Sequence, residues 1–293
     1  MLIGVGLTML AARITRQFGS VRGAWRVIEP IRHVLGVCAG VSRYVVVEGF
    51  DGNLRIRLDP REHVGSRIYW YGIHSINEIK VLRRYLSQDM TFLDVGANIG
   101  EFTLIAAKLL SHGQVIAFEP IPRLARILRT NVDMNGLHHV HLVAAGLSHR
   151  KGRVRFSRQD PMPGEQANDG LFSLYPPSER DSSGVMSRVV RLDDVVRSLK
   201  IRRIDLIKLD IEGAELSALK GSRMTLRRFK PMLMIEINEE ALRRGGASSS
   251  LLMAFLKRLG YDVRRIERGG RLSPTIVSAY QLPKFCNAFC LPR

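Results

Sequence analysis

The sequence predicts an α/β fold, a mostly parallel sheet with helices on both faces, preceded by an N-terminal extension. Three observations lead there. Apolar runs without polar alternation recur at 91–95 (TFLDV), 115–119 (VIAFE), 140–144, 204–209 (IDLIKL) and 232–237 (MLMIEI), as they do in strands buried on both faces. Segments of helical period separate these runs, the alternation expected of a parallel sheet. The first run passes through Asp94 into Gly96, Asn98 and Gly100 and then into a helix, the strand–turn–helix at which open α/β sheets bind ligands.

Taken in order, YVVVEGFDGNLRIRL (44–58) predicts a β-hairpin turning at Asp51-Gly52-Asn53. INEIKVLRRYL, from residue 76, predicts a helix. Further helices are predicted at about 99–110, 122–135, 192–199, 213–228 and 248–259. Two β-like runs, YDVRRIE (261–267) and TIVSAYQL (275–282), are expected to close one edge as an antiparallel pair. Residues 151–190 are rich in Pro, Gly, Ser and charge, with short β-like pieces at GRVRF and SRVVRL. A segment of this length between core strands predicts a lid or acceptor platform. Residues 1–75 are thus read as a helical extension with a hairpin, and 76–293 as the ligand-binding domain.

Of the 293 residues, 45% are hydrophobic and 25% charged, as in a soluble globular protein. The net charge of +18 is unusual. Arginines gather at 13–32, 188–203 and 223–271. They favour polyanions, anionic lipid surfaces or acidic substrates, or else reflect genomic base composition on solvated faces. Three cysteines make no disulfide framework, and Cys286 and Cys290 lack the second pair or nearby histidine of a zinc set. A reduced, cytoplasmic setting is expected. The opening MLIGVGLTMLAARITR is apolar over less than the ~20 residues of a membrane span. It also lacks the leading basic region of a signal peptide, so a helical extension is expected. Peripheral membrane contact through Arg13–Arg32 stays open.

The turn itself limits the ligand. A dinucleotide site would read G-x-G-x-x-G, but VGANIG has Asn98 where the backbone must approach a pyrophosphate, and no P-loop Lys-Ser/Thr pair follows. Phosphate is disfavoured. Two carboxylates remain, Asp94 at the first strand tip and Glu119 at the second. Singly, each reads as a helix cap or a solvated acid. Together, Glu119 suits the vicinal hydroxyls of a ribose and Asp94 a cationic amine. A nucleoside with an ammonium group and no phosphate is S-adenosyl-L-methionine.

FLDVGANIGEFT, VIAFEPIP, LDDV, IDLIKLDIEGAELSALKG and PMLMIEI, in this order over about residues 70–240, resemble the FkbM family of class I S-adenosylmethionine-dependent methyltransferases. The resemblance implies a Rossmann-like class I methyltransferase fold with a seven-stranded sheet. It also implies O-methylation of a hydroxyl on a sugar, glycan or other secondary metabolite. It places Asp94, Gly96, Asn98 and Gly100 around the methionine end of the cofactor and Glu119 at the ribose. VAAGLS (143–148), with Ala145, would meet the adenine, although Gly146 departs from the family's alanine-rich turn. The first 43 residues lie outside the resemblance.

Methyl transfer to a hydroxyl needs alignment of acceptor and donor and a base for the proton. Asp210, ending the fourth strand, is the leading candidate base, with burial there expected to raise its proton affinity. Glu212 and Glu215 read as acids at a helix N-terminus. Glu236, at the fifth strand tip, is a second candidate. A divalent metal on Asp210, Glu236 and Asn238 is the alternative arrangement, though no metal is expected. His74, in YWYGIHSINE, is a third base candidate or an ordinary loop histidine. Glu78 would touch the methionine end or be an exposed helix residue. Two further readings compete. An RNA methyltransferase is prompted by the charge, but the sequence has no N-P-P-Y-like turn and only 7% aromatics to grip a base. A non-catalytic protein of the same fold would bind anionic glycans or nucleic acid through the arginines.

Overall fold

The computed structural model describes residues 2–18, 23–38, 44–158, 172–173 and 184–293. They form two compact units, residues up to 76 and the remainder from 77.

The first unit contains α1 (Leu2–Phe18), α2 (Trp25–Cys38), the hairpin strands β1 (Val45–Phe50) and β2 (Leu54–Leu58), and α3 (His63–Tyr71). The hairpin turns where Asp51 (φ 47°) and Gly52 (φ 93°) are left-handed, the conformation that an Asp-Gly pair favours. Helix α3 was not foreseen, because HVGSRIYWY is dominated by β-favouring residues. Burial of Ile68, Tyr69 and Trp70 holds it helical, and Gly72 (φ 80°) ends it with its N–H on the Ile68 carbonyl.

Helix α4 (Ile76–Tyr85) begins at the boundary, and the second unit continues through β3 (Thr91–Val95), α5 (Glu101–Leu109), β4 (Gln114–Phe118), α6 (Pro122–Met134) and β5 (Val140–Val143). A small sheet follows, from β6 (Gly146–Leu147), β7 (Gly152–Arg158), β8 (Phe172–Ser173) and β9 (Val185–Val190). Then come α7 (Leu192–Ser198), β10 (Leu206–Leu209), α8 (Glu215–Lys220), α9 (Arg223–Phe229), β11 (Met232–Asn238), α10 (Glu239–Arg244), α11 (Ser249–Arg258), β12 (Tyr261–Glu267), β13 (Arg271–Leu272) and β14 (Phe285–Pro292). The main sheet has the order β13-β12-β14-β11-β10-β3-β4-β5. Five neighbouring strands, β11 to β5, are parallel, and β14 lies antiparallel between β11 and β12. Seven strands thus build the Rossmann-like sheet implied by the sequence, and the two-residue β13 adds an eighth at the edge. The chain winds outward from β3 to β5 and returns at β10, so the strand order reverses between β3 and β10. A ligand crevice opens at such a point.

Two sequence expectations change. Residues 275–282 are not a strand: Ser278 and Gln281 form a capping box around a single helical turn at Ala279–Gln281. The antiparallel edge is supplied by β14, with Cys286, Ala288, Phe289 and Cys290 buried. The helix expected at 213–228 is two, broken at Gly221, where a Cβ would come within 2.1 Å of the Ser148 carbonyl oxygen. Within 151–190, β7 and β9 are antiparallel partners with Phe156, Ser187 and Val189 buried. The Pro/Gly-rich centre expected to act as a lid lies outside the described residues. Among those residues no helix is long and apolar enough to cross a membrane.

Candidate active site

Strand β3 is buried at all five positions, and its register sets Asp94 beside Lys208 of β10. Asp94 is fully buried and accepts from Thr103 Oγ1 at 2.6 Å. Lys208 Nζ lies 3.5 Å from Asp94 Oδ1, 3.4 Å from Asp210 Oδ2 and 3.4 Å from the Gly96 carbonyl, over the Phe102 ring. Desolvation opposes the charge on Lys208, yet Asp210, Asp94 and Glu236 together hold its ammonium above the ordinary value. Burial raises the Asp94 carboxyl against the pull of Lys208 and Thr103. Asp94 Oδ1 accepts no hydrogen bond.

The turn after β3 uses up its own amides. Gly96 and Ala97 N–H both donate to the Phe118 carbonyl, at 3.1 and 3.0 Å. Asn98 N–H donates to Glu119 Oε2 at 2.8 Å, Ile99 N–H to Asn98 Oδ1 at 2.8 Å, and Gly100 N–H to the Ala97 carbonyl at 2.9 Å. A phosphate cradle needs such donors free, so this turn is not one. Its left-handed residues answer to packing. A Cβ on Gly96 (φ 83°) would come 2.0 Å from the Asp210 carbonyl oxygen, and one on Gly100 (φ 102°) 2.6 Å from Leu128 Cδ1. The two glycines implied to surround the cofactor also allow the close approach of the β3 and β10 turns and of α6. Asn98 (φ 52°) tolerates the left-handed region through its own side-chain bond to Ile99.

Glu119 is buried, with Oε1 accepting from Ile121 N–H and Oε2 from Asn98 N–H, each at 2.8 Å. It is not the solvated acid of the alternative reading. Burial pushes its carboxyl up to about 7 against these two donors. Each oxygen keeps lone-pair capacity beyond its one amide. Ala145 is fully buried, and its N–H reaches the Val143 carbonyl at 2.8 Å.

At the neighbouring strand tips, Asp210 departs from expectation, since its side chain is 41% exposed and not buried. Carboxylate oxygens of Asp210, Glu212 and Glu236 all lie within 4.8 Å of one another. Burial first, then Asp210, Glu212 and Glu215, drives the Glu236 carboxyl well above its usual range. Asn238, the third residue of the metal alternative read from the sequence, caps α10 by accepting from Ala241 N–H at 3.2 Å. Glu212 stands on a left-handed backbone (φ 54°) ahead of Gly213 (φ 100°). Glu215 braces that loop, Oε1 accepting from Ile211 and Gly213 N–H at 3.1 and 3.2 Å. Glu78 is half-buried and accepts from Asn287, which stands opposite Glu236 in the β11–β14 ladder. His74 belongs to the first unit, where Nδ1 is 2.9 Å from Ser75 Oγ and the ring meets His63 edge-on. Lys208 and Thr103 were missed by sequence reasoning. The one available signal was a lysine inside the apolar run IDLIKLDI.

The profile of the FkbM methyltransferase domain matches residues 94–263, more than half of the chain. The chain belongs to the FkbM methyltransferase family. The methyl donor of this family is S-adenosylmethionine, and the buried acceptor oxygens at Asp94 and Glu119, with no free amide beside them, fit an ammonium and a ribose. Over 240 residues the chain is 25% identical to the AMB antimetabolite synthetase AmbE of Pseudomonas aeruginosa, covering 71% of the chain and 11% of AmbE. It is 28% identical to the 2-O-methyltransferase NoeI of Sinorhizobium fredii, covering 58% of the chain and 73% of NoeI. It is also 28% identical to the hexuronic acid methyltransferase AglP of Haloferax volcanii, covering 55% of the chain and 61% of AglP. The chain thus spans only part of each of these relatives.

Proposed function

We propose that this family member is an S-adenosylmethionine-dependent O-methyltransferase acting on a hydroxyl of a sugar, glycan or other secondary metabolite. The observation that carries the reading is the 96–100 turn, whose amides are all bonded within the protein while two buried carboxylates stand at the adjoining strand tips. Such a site receives hydroxyls and an ammonium. The names of two relatives, a 2-O-methyltransferase and a hexuronic acid methyltransferase, support a hydroxyl of a sugar-like acceptor.

When bound, S-adenosylmethionine supplies an electrophilic methyl group for in-line displacement by the acceptor oxygen. Glu119 holds the ribose hydroxyls on its remaining lone pairs, and Asp94 Oδ1 takes the ammonium. Lys208, within 3.5 Å of both Asp94 and Asp210, holds the two carboxylates in place. Asp210, exposed and tethered to Lys208, orients the acceptor hydroxyl, and Glu236 receives its proton. Burial and the neighbouring acids raise the proton affinity of Glu236, which moves the proposed base from Asp210 to Glu236. The close approach of Asp210, Glu212 and Glu236 supports a second reading, one divalent cation shared by the three. Turnover abolished by chelation and restored by magnesium selects it.

Calorimetry tests the ligand. S-adenosylhomocysteine is expected to bind and NAD not to, and the reverse result sinks the proposal. With the Glu119 carboxyl at about 7 and the hydroxyls favouring its ionised form, affinity rises as pH goes from 6 to 8. Glu119→Gln should flatten that dependence, and Glu119→Ala should weaken binding by about 1–3 kcal/mol. Wild-type affinity in Glu119→Ala would exclude Glu119 from the ribose.

A further inference from the structure

Helix α1 is amphipathic in the wrong direction for a helix that only serves the core. Among its described side chains, from Thr8 onward, those it turns inward are small or polar: Thr8, Ala12 and Thr15 are buried. Those it turns to solvent are large and apolar, with Met9, Leu10, Ile14 and Phe18 each 49–55% exposed. Leu10, Ile14 and Phe18 recur at every fourth position and so form one row along the helix. A helix whose sole task is packing buries its large apolar residues.

The orientation is fixed. Arg16 donates to the Tyr69 carbonyl of α3 at 2.8 Å, with its guanidinium 5.6 Å from the centre of the Tyr69 ring. Gly72, closing α3, packs against the stem of Arg16. The apolar row therefore cannot roll inward without breaking these contacts.

We infer that α1 docks on an anionic lipid surface, lying in the plane of the interface with Leu10, Ile14 and Phe18 inserted. Residues 1–43 hold six arginines and a single acid, Glu29. Glu29 is engaged by Arg32 at 2.7 Å and by the Tyr71 hydroxyl at 2.6 Å. Arg13 is exposed on α1 beside the row, and Arg26 and Val27 are exposed on α2. The same face of a second copy would bring the same arginines and, as its one acid, the already engaged Glu29. An anionic headgroup layer complements the charge while its acyl boundary takes the apolar row. At 17 residues the helix is about 26 Å long, short of the ~30 Å hydrocarbon core, and it carries Arg13 and Arg16 within it, so the geometry is interfacial. This inference is independent of the methyl-transfer reading.

The test is co-sedimentation of the full chain with vesicles of phosphatidylcholine alone, or of phosphatidylcholine with phosphatidylglycerol as the minor component. Binding to the anionic vesicles only, weakening as salt is raised, is expected. Leu10→Ser/Ile14→Ser/Phe18→Ser should lower the partition by about tenfold or more, with S-adenosylhomocysteine binding and circular dichroism unchanged. Arg13→Glu should lower it on anionic vesicles while leaving the apolar row intact. No sedimentation with phosphatidylglycerol at low salt, or binding undiminished in the triple variant, overturns the inference. So does a dimer in light scattering that the triple variant dissolves, which would give the face to a second copy.

Discussion

Lys208→Met should cost about 3–5 kcal/mol of stability at neutral pH, because removing one partner leaves a buried charge uncompensated. Asp94 is fully buried, and Lys208 Nζ at 3.5 Å is the cation beside it. Without Lys208, the low-dielectric surroundings favour the protonated acid, and Asp94 must take up a proton for the protein to fold. The sign follows from linkage. In the variant, Asp94 holds its proton to higher pH when folded than when unfolded, so the folded state gains on acidification and the deficit shrinks as pH falls. Lys208 in the wild type stays charged throughout this range, its ammonium being held above the ordinary value. Urea unfolding at pH 7 and pH 5 measures both effects. Lys208→Met/Asp94→Asn removes both charges and should recover much of the loss, a coupling that a double-mutant cycle isolates. A single-variant loss under about 1 kcal/mol at pH 7 would mean that water reaches Asp94 and that the pair is weak.

This pair also marks the limit of what the sequence discloses. Asp94 and Glu119 were legible because a carboxylate ending an apolar run cannot be there for the core, and a parallel sheet makes such runs unbroken. Lys208 interrupts a similar run and reads as noise until the register sets it beside Asp94. Register between strands more than a hundred positions apart is a property of the fold and not of either segment. The glycines were legible only in part. Gly96 and Gly100 were read as a turn, and the protein atoms that a Cβ would meet there, on Asp210 and Leu128, come from elements far along the chain. TIVSAYQL has the β-branched and aromatic content of a strand, and the local bonds of Ser278 and Gln281 override that propensity. In α1 the hydrophobic residues are plain in the sequence, but which face meets α3 is decided by Arg16 and Tyr69.

The proton acceptor can be identified by comparing two isosteric variants. Glu236→Gln keeps shape and one acceptor oxygen but removes basicity, so kcat should fall by about 10²–10⁴-fold with S-adenosylhomocysteine affinity near wild type. Asp210→Asn keeps a hydrogen-bond acceptor at the orienting position and should cost less in kcat, with KM for the acceptor rising. The raised Glu236 carboxyl also fixes the direction of the pH profile. Only its ionised form can take the proton, so kcat should climb with pH through a range well above that of an ordinary glutamate. That limb should disappear in Glu236→Gln. If Asp210→Asn shows the larger fall instead, Asp210 is the base and Glu236 the group that positions it. Equal losses in both variants, reversed by added magnesium, would fit neither role and would assign Asp210, Glu212 and Glu236 to a shared cation. Losses under tenfold in both would leave alignment as the main source of rate, since positioning alone can be worth an effective molarity of ~10⁵ M or more. The search for a base would then move to His74.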